Sequence, residues 1–250
     1  PLVKRSHGGI LHLIWKHRMV YTLLLPGLIW YIVFAYGPMG GLQLAFKTYR
    51  ASEGIWGSPW AGLENYERVF GDPAFWSAVF RTLYINIGRL IFQFPIPIIL
   101  ALLLNEMKFV KFKKVVQTVF TFPHFLSWIV VASILTNMLS LDGLVNNVLA
   151  AFGMERISFL GSPSIFQPML YITDAWKSAG WGAIVYLAAI SGVDTDQYEA
   201  AEIDGASRFQ RVFFITLPNI MPTIVVMFIL AVGGVMSTGF DQVFNLDNVS

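Results

Sequence analysis

The chain of 250 residues contains no cysteine, which excludes disulfide staples and thiolate metal sites. Charge is nearly as scarce. Only 13% of residues are Asp, Glu, Lys or Arg, against 56% hydrophobic and 15% aromatic, where soluble domains carry roughly 25% charged and 45–50% apolar. No G-x-x-x-x-G-K-[ST] occurs, so the chain has no phosphate-cradling loop of its own. It also lacks H-E-x-x-H and G-x-S-x-G, the signatures of zinc hydrolases and serine nucleophile elbows. The four histidines are scattered. His7, His12 and His17 recur every five residues, about 140° apart on a helix, and so share no face. They read as a solvated flank touching lipid headgroups rather than as a metal centre. No catalytic and no metal site is expected. The net charge of +2 belongs to loops and does not imply nucleic acid.

Long apolar runs fill the space that charge vacates. Met19–Phe46, Val115–Leu141 and Val212–Phe240 carry no Asp, Glu, Lys or Arg; Thr82–Asn105 carries Arg89 alone; Ile157–Val193 carries only Asp174 and Lys177. Each exceeds the about 20 residues that cross about 30 Å of hydrocarbon as a helix. Backbone groups in lipid must satisfy one another, so runs of this length mean helices, and the short alternating segments of a membrane barrel do not occur. The expectation is an all-α polytopic membrane protein, one transmembrane domain over residues 1–250. Its spans are placed at about 19–46, 82–105, 115–139, 166–192 and 215–240, with a loop over 194–218. The first run is too long for a signal-peptide core and stays as an anchor.

Lys4, Arg5, Lys16 and Arg18 precede the first span, and Lys108, Lys111, Lys113 and Lys114 follow the second. The positive-inside rule then puts the N-terminus, and with it the 194–218 loop, in the cytoplasm. The outer stretch Lys47–Ala78 is rich in Gly, Pro and Trp. It reads either as an interfacial cap, which Trp and Tyr favour, or as part of a dock for an extracytoplasmic binding protein. In the second span Pro95 and Pro97 are expected to kink or break the helix. The third holds Pro123 and His124; the segment from Asp142 to Ser164 reads as a short loop with a half-helix.

The loop EAAEIDGASRFQRVFFITLP, Glu199–Pro218, is the most informative segment. Asp194 with Gln197, or Asp196 with Glu199, provides an N-cap and its reciprocal partner. Gly205 ends that helix, because glycine takes the left-handed conformation at a helix C-terminus. Ser207 with Gln210 opens a second short helix through Phe213. The product is helix, glycine turn, helix. Ala200, Ala201 and Ala206 permit close approach of another protein, and Glu199 can meet a basic residue there.

Glu199-Ala200-Ala201, then Gly205, Ile215 and Leu217-Pro218 at their offsets, resemble the EAA loop of ATP-binding-cassette importer permeases. That resemblance implies a type I permease helix bundle with five spans visible and a sixth expected beyond Ser250. It implies a pore-forming subunit of the bacterial cytoplasmic (inner) membrane that is not itself an enzyme and binds no cofactor. ATP and Mg would be used by two ATP-binding-cassette ATPase subunits, coupled through Glu199, Ala200, Ala201, Asp204, Gly205 and Ser207. The other implied partners are a second homologous permease, an extracytoplasmic solute-binding protein and an oligosaccharide. Gly37-Pro38, Leu42–Lys47 and the Trp-rich stretch look like the permeases that handle plant or algal polysaccharide fragments.

Ionisable residues inside a span are costly and usually face a cavity or one another. Asp174 and Lys177, three apart, can pair on one helix face. With Trp176 and Trp181, and with Ser237 and Phe240 on the fifth span, they are the candidate lining of a sugar path. The opposing reading has Asp174 and Lys177 snorkelling at the outer boundary. Arg89 has the same two readings. An ion- or proton-coupled carrier is the alternative to an ATP-driven importer; it would need inverted repeats and leaves the EAA segment unexplained.

Overall fold

The computed structural model describes residue 12, residues 15–236 and residues 239–247. The chain divides into two compact units, Pro1–Ser77 and Ala78–Ser250. Among the described residues the only strand-like pairing is an isolated antiparallel bridge between Lys47 and Trp60.

In the first unit α1 (Arg18–Trp30) runs on as a wide π turn over Tyr31–Tyr36 and a tighter 3-10 turn over Gly37–Phe46. Pro38 has no N–H to return to Phe34, and the winding changes there. Beyond Phe46 the chain folds back through α2 (Gly54–Gly57) and α3 (Glu64–Gly71). Lys47 is buried. Its ammonium donates to the carbonyls of Ile55 and Trp56 at 3.1 and 3.0 Å and lies 5.0 Å from the Trp60 ring centroid. Asn65 Nδ2 donates to the Lys47 and Ala45 carbonyls at 2.9 and 3.2 Å. The Gly-, Pro- and Trp-rich stretch is therefore a folded segment held by two donors, the buried Lys47 and the half-buried Asn65.

α4 (Pro73–Gln93) begins in the first unit and enters the second, which holds α5 (Pro95–Asn105), α6 (Val110–Thr121), α7 (Trp128–Leu139), α8 (Leu144–Ala151), α9 (Pro163–Ser191), α10 (Thr195–Ile203), α11 (Arg208–Arg211), α12 (Leu217–Gly233) and α13 (Phe240–Asp247). The axis is α9, which packs on α5, α6, α12 and α13. Small residues set its approach, as in membrane bundles that pack backbone to backbone. A Cβ at Gly180 would come within 2.1 Å of the Phe120 carbonyl oxygen. Ala101, Ala183, Tyr186, Ile190 and Ile220 form one buried cluster. Ala132, Met169, Leu170 and Leu246 form another.

Four helices among the described residues are long and apolar enough to cross a membrane: Arg18–Phe46, Pro73–Asn105, Trp128–Ala151 and Arg208–Gly233. The 29-residue α9 adds a fifth of sufficient length. The span expected at 115–139 is not one helix. Phe122–Phe125 tightens into a 3-10 turn, Leu126 is extended, and Ser127 caps a new helix by accepting from Val130 N at 3.3 Å. Proline at 123 starts a turn but cannot continue the preceding ladder. At Pro95 the interruption is slighter, since Phe94 keeps helical dihedrals and donates to Leu90 O at 3.1 Å. The span expected at 215–240 is shifted. Its helix starts at Arg208 and closes at Gly233, and a glycine-linked segment separates it from α13. Phe240 therefore stands at the head of a second short helix rather than on the fifth span.

Candidate functional site

The loop between α9 and α12 is built as the local chemistry requires. Asp194 accepts from Asp196 N at 3.1 Å and caps α10. The reciprocal partner expected at Gln197 is engaged elsewhere, accepting from Asn219 Nδ2 at 3.0 Å. At the other end Gly205 sits at φ +78°. Ala206 N donates to Ala201 O at 2.8 Å and Gly205 N to Glu202 O at 3.1 Å, the paired bonds of a Schellman cap. Ser207 and Gln210 then bond reciprocally, at 2.8 and 3.3 Å, as a capping box.

The second helix does not stop at Phe213. It passes through a π turn at Val212–Thr216 straight into α12. Pro218 and Pro222 remove two donors from this stretch, and a widened turn is a common way for the ladder to absorb that loss. Three side-chain links tie α10 to this long helix. Glu202 pairs with Arg211 at 2.7 Å, the Tyr198 and Thr216 hydroxyls share a hydrogen bond of 2.9 Å, and Asn219 reaches Gln197. Glu199, Ala200, Asp204, Gly205 and Ser207 are exposed, whereas Ala201 and Ala206 are half-buried. Ile203, 87% exposed, and Phe209, 71% exposed, complete an apolar tip that sequence reasoning passed over. Their exposure is set by where the glycine turn points, which periodicity does not report.

The six candidate cavity residues are divided. Asp174 does not pair with Lys177. Its Oδ2 lies 3.1 Å from Arg89 Nε of α4, an ionic contact without hydrogen-bond alignment. Arg89 is 4% exposed; its Nη1 donates to Asn86 Oδ1 at 3.2 Å and its Nη2 to Gln242 Oε1. Gln242, fully buried, donates onward to Leu170 O at 2.9 Å and Thr173 Oγ1 at 2.8 Å. Asn86 donates to Val235 O at 2.8 Å. One polar network thus joins α4, α9 and α13. A delocalised fork with several donors satisfies more acceptors there than an ammonium three residues along the same helix would.

Lys177, 9% exposed, turns instead to the broken span. Its ammonium donates to His124 O at 2.8 Å and lies 5.6 Å from the Trp128 ring. Trp181 stacks on the His124 imidazole, centroids 4.7 Å apart and planes 2° from parallel, with Phe125 edge-on at 6.0 Å. So Arg89 and Lys177 are buried and partnered, not reaching outward. Trp176 is half exposed, Phe240 is exposed and stacks on Phe244, and Ser237 lies outside the described residues. Lys177 and Trp181 are brought together around His124 and Trp128; Asp174, Trp176 and Phe240 are not part of that cluster. In the sequence His124 stands out only as the neighbour of Pro123, and Trp128 is not singled out, because which side chains meet α9 is decided by the tertiary packing.

Residues 70–240 match the family described as binding-protein-dependent transport system inner membrane component. The chain is 41% identical over 248 residues to the polygalacturonan/rhamnogalacturonan transport system permease protein YteP of Bacillus subtilis (strain 168), an alignment covering 99% of this chain and 77% of that protein. It is similar to a chain in the crystal structure of a bacterial ABC transporter involved in the import of the acidic polysaccharide alginate, with 38% identity, TM-score 0.86, 96% of this chain and 80% of that chain. The alginate transporter crystallised with a pentasaccharide-bound periplasmic protein gives 38% identity, TM-score 0.85 and the same coverage.

Proposed function

This chain belongs to the family of binding-protein-dependent transport system inner membrane components, and from that premise we propose that it forms the saccharide path of an ATP-driven importer, receiving an oligosaccharide from an extracytoplasmic solute-binding protein. It is a membrane-spanning transport subunit, not an enzyme. ATP and Mg belong, in this reading, to two ATPase subunits, and a second related permease completes the pore. The basic flanks support a cytoplasmic N-terminus. The names of the relatives favour an acidic saccharide from plant or algal polysaccharide.

The observation that carries the reading is the α10 tip, cross-linked to a helix that runs without a break from Arg208 to Gly233. A push on Gly205 and Ile203 is delivered to the membrane span as a rigid-body movement, because the links at Glu202, Tyr198 and Gln197 leave no soft joint between tip and span. Rigid-body switching of this kind is a common means of alternating access. Within the span, Lys177 and Trp181 beside the broken helix supply a cation and an aromatic face for a sugar acid, with one ammonium donor already used by His124. Carboxylate recognition by the others fits charge-assisted pairing. The carrier alternative, whose coupling groups would be Asp174 and Lys177, finds the two apart, Asp174 beside Arg89 and Lys177 on the His124 carbonyl.

Gly205→Arg tests the coupling role. A Cβ at Gly205 meets nothing within 4 Å, so the fold tolerates bulk there apart from the strain of φ +78°. Saccharide uptake and co-purification of the ATPase subunits are expected to fall together, while membrane insertion is unchanged. Normal uptake with normal assembly would remove the tip from the mechanism.

A further inference from the structure

One stripe of α6 changes character along its length. Lys111, Lys114, Thr118 and Thr121 follow at intervals of three or four on α6, and Phe122 and Phe125 come next in the 3-10 turn; all but Lys111 line a groove of about 410 Å³ with Gln117 and with Ile184 of α9. The groove exists because Gly180 brings α9 onto the α6 backbone at Phe120, leaving a channel beside the crossing. Charge comes first, hydroxyls next, aromatic rings last. From Lys114 to Phe125 the stripe extends about 17 Å, about half of the 30 Å or so of bilayer hydrocarbon, which is the depth of one leaflet. Lys108, Lys111 and Lys114 are exposed and Lys113 half-buried. None of the four forms an ion pair among the described residues.

We propose that this groove binds an anionic phospholipid, with Lys111 and Lys114 holding the headgroup phosphate and Phe122, Phe125 and Ile184 holding an acyl chain. The surplus of positive charge selects the occupant. A zwitterionic lipid brings its own cation and leaves the lysines unmatched, whereas an anionic headgroup at a basic membrane flank is attracted by each nearby lysine. The order of the lining residues matches a phospholipid from phosphate to tail. The site also touches the transport machinery, because the Phe125 ring that closes the groove lies edge-on to Trp181 and follows His124, whose carbonyl receives Lys177. A chain seated there buttresses the break in the third span. The proposal needs only that the chain spans a membrane and does not depend on what is transported.

The assembled complex, extracted from vesicles of equal phosphatidylglycerol and phosphatidylcholine, is examined by native mass spectrometry. The wild type is expected to retain phosphatidylglycerol preferentially. Lys114→Gln should lower that retention about fivefold, and Lys113→Gln, off the stripe, less than twofold. Equal losses in the two variants would mean diffuse surface charge and overturn the site, as would equal retention of both lipids by the wild type. Because the chain has no cysteine, a single Thr118→Cys reports on the groove directly. Protection from a membrane-soluble maleimide by phosphatidylglycerol, but not by phosphatidylcholine, is expected. Protection by the other subunits in lipid-free detergent would identify a protein occupant and overturn the proposal.

Discussion

Arg89 decides more of this structure than its single charge in an apolar run suggests. Its guanidinium meets Asp174, Asn86 and Gln242 from three directions, and Gly239 at φ +88° leaves it room, since a Cβ there would fall within 1.8 Å of Nη1. Removing one partner of a buried pair strands the other, at a cost of about 3–5 kcal/mol, while replacing both by apolar groups of similar size is often neutral. Arg89→Ala is therefore expected to lower the unfolding temperature of the purified complex sharply, and Arg89→Met combined with Asp174→Leu to restore most of it. If the double variant is no better than the single, the ion pair is not what ties α4 to α9. Arg89→Lys should resemble the alanine variant, because an ammonium cannot reproduce the fork.

At the scale of elements the telling feature is the interruption at Phe122–Ser127. Irregular backbone at membrane depth is tolerated where it is buried in protein or lines a watery cavity. Here Lys177 answers the His124 carbonyl and Trp181 covers the imidazole, so α9 is matched to the break at two positions one turn apart. Trp176, about 100° round the helix from Lys177, is not. Substrate-stimulated ATPase activity of the reconstituted complex is expected to weaken in Lys177→Ala and in Trp181→Ala, with assembly intact, and much less in Trp176→Ala. Unchanged stimulation in the first two would take the substrate path away from this break.

For the whole molecule the absence of a phosphate-cradling loop is the governing fact. In the function proposed above the drive comes from outside the chain, through the exposed tip around Ile203, Gly205 and Phe209, which three side-chain links tie to the long helix. The isolated polypeptide in vesicles is accordingly expected neither to bind nor to hydrolyse Mg-ATP, with turnover appearing only when ATPase subunits are added. Hydrolysis by this chain alone, free of contaminating ATPase, would refute that division of labour.

Apolar runs and scarce charge were enough for the helical, membrane-spanning class, because hydrocarbon admits few ways to satisfy a backbone and all of them are local in a helix. Local chemistry was likewise enough for the caps of the turn after α10, though not for its apolar tip: glycine at the C′ position and Ser207 with Gln210 act over a few residues, so their caps could be read directly from spacing. The same reasoning failed wherever a residue chose between neighbours in sequence and neighbours in space. Asp174 and Lys177 stand three apart on one helix and still part company, one to Arg89 across 85 positions and the other to His124 across 53. The gathering of Gln242 with Arg89 across 153 positions follows the same rule. Partner choice for a buried charge depends on which helices cross at that depth, and packing alone decides that.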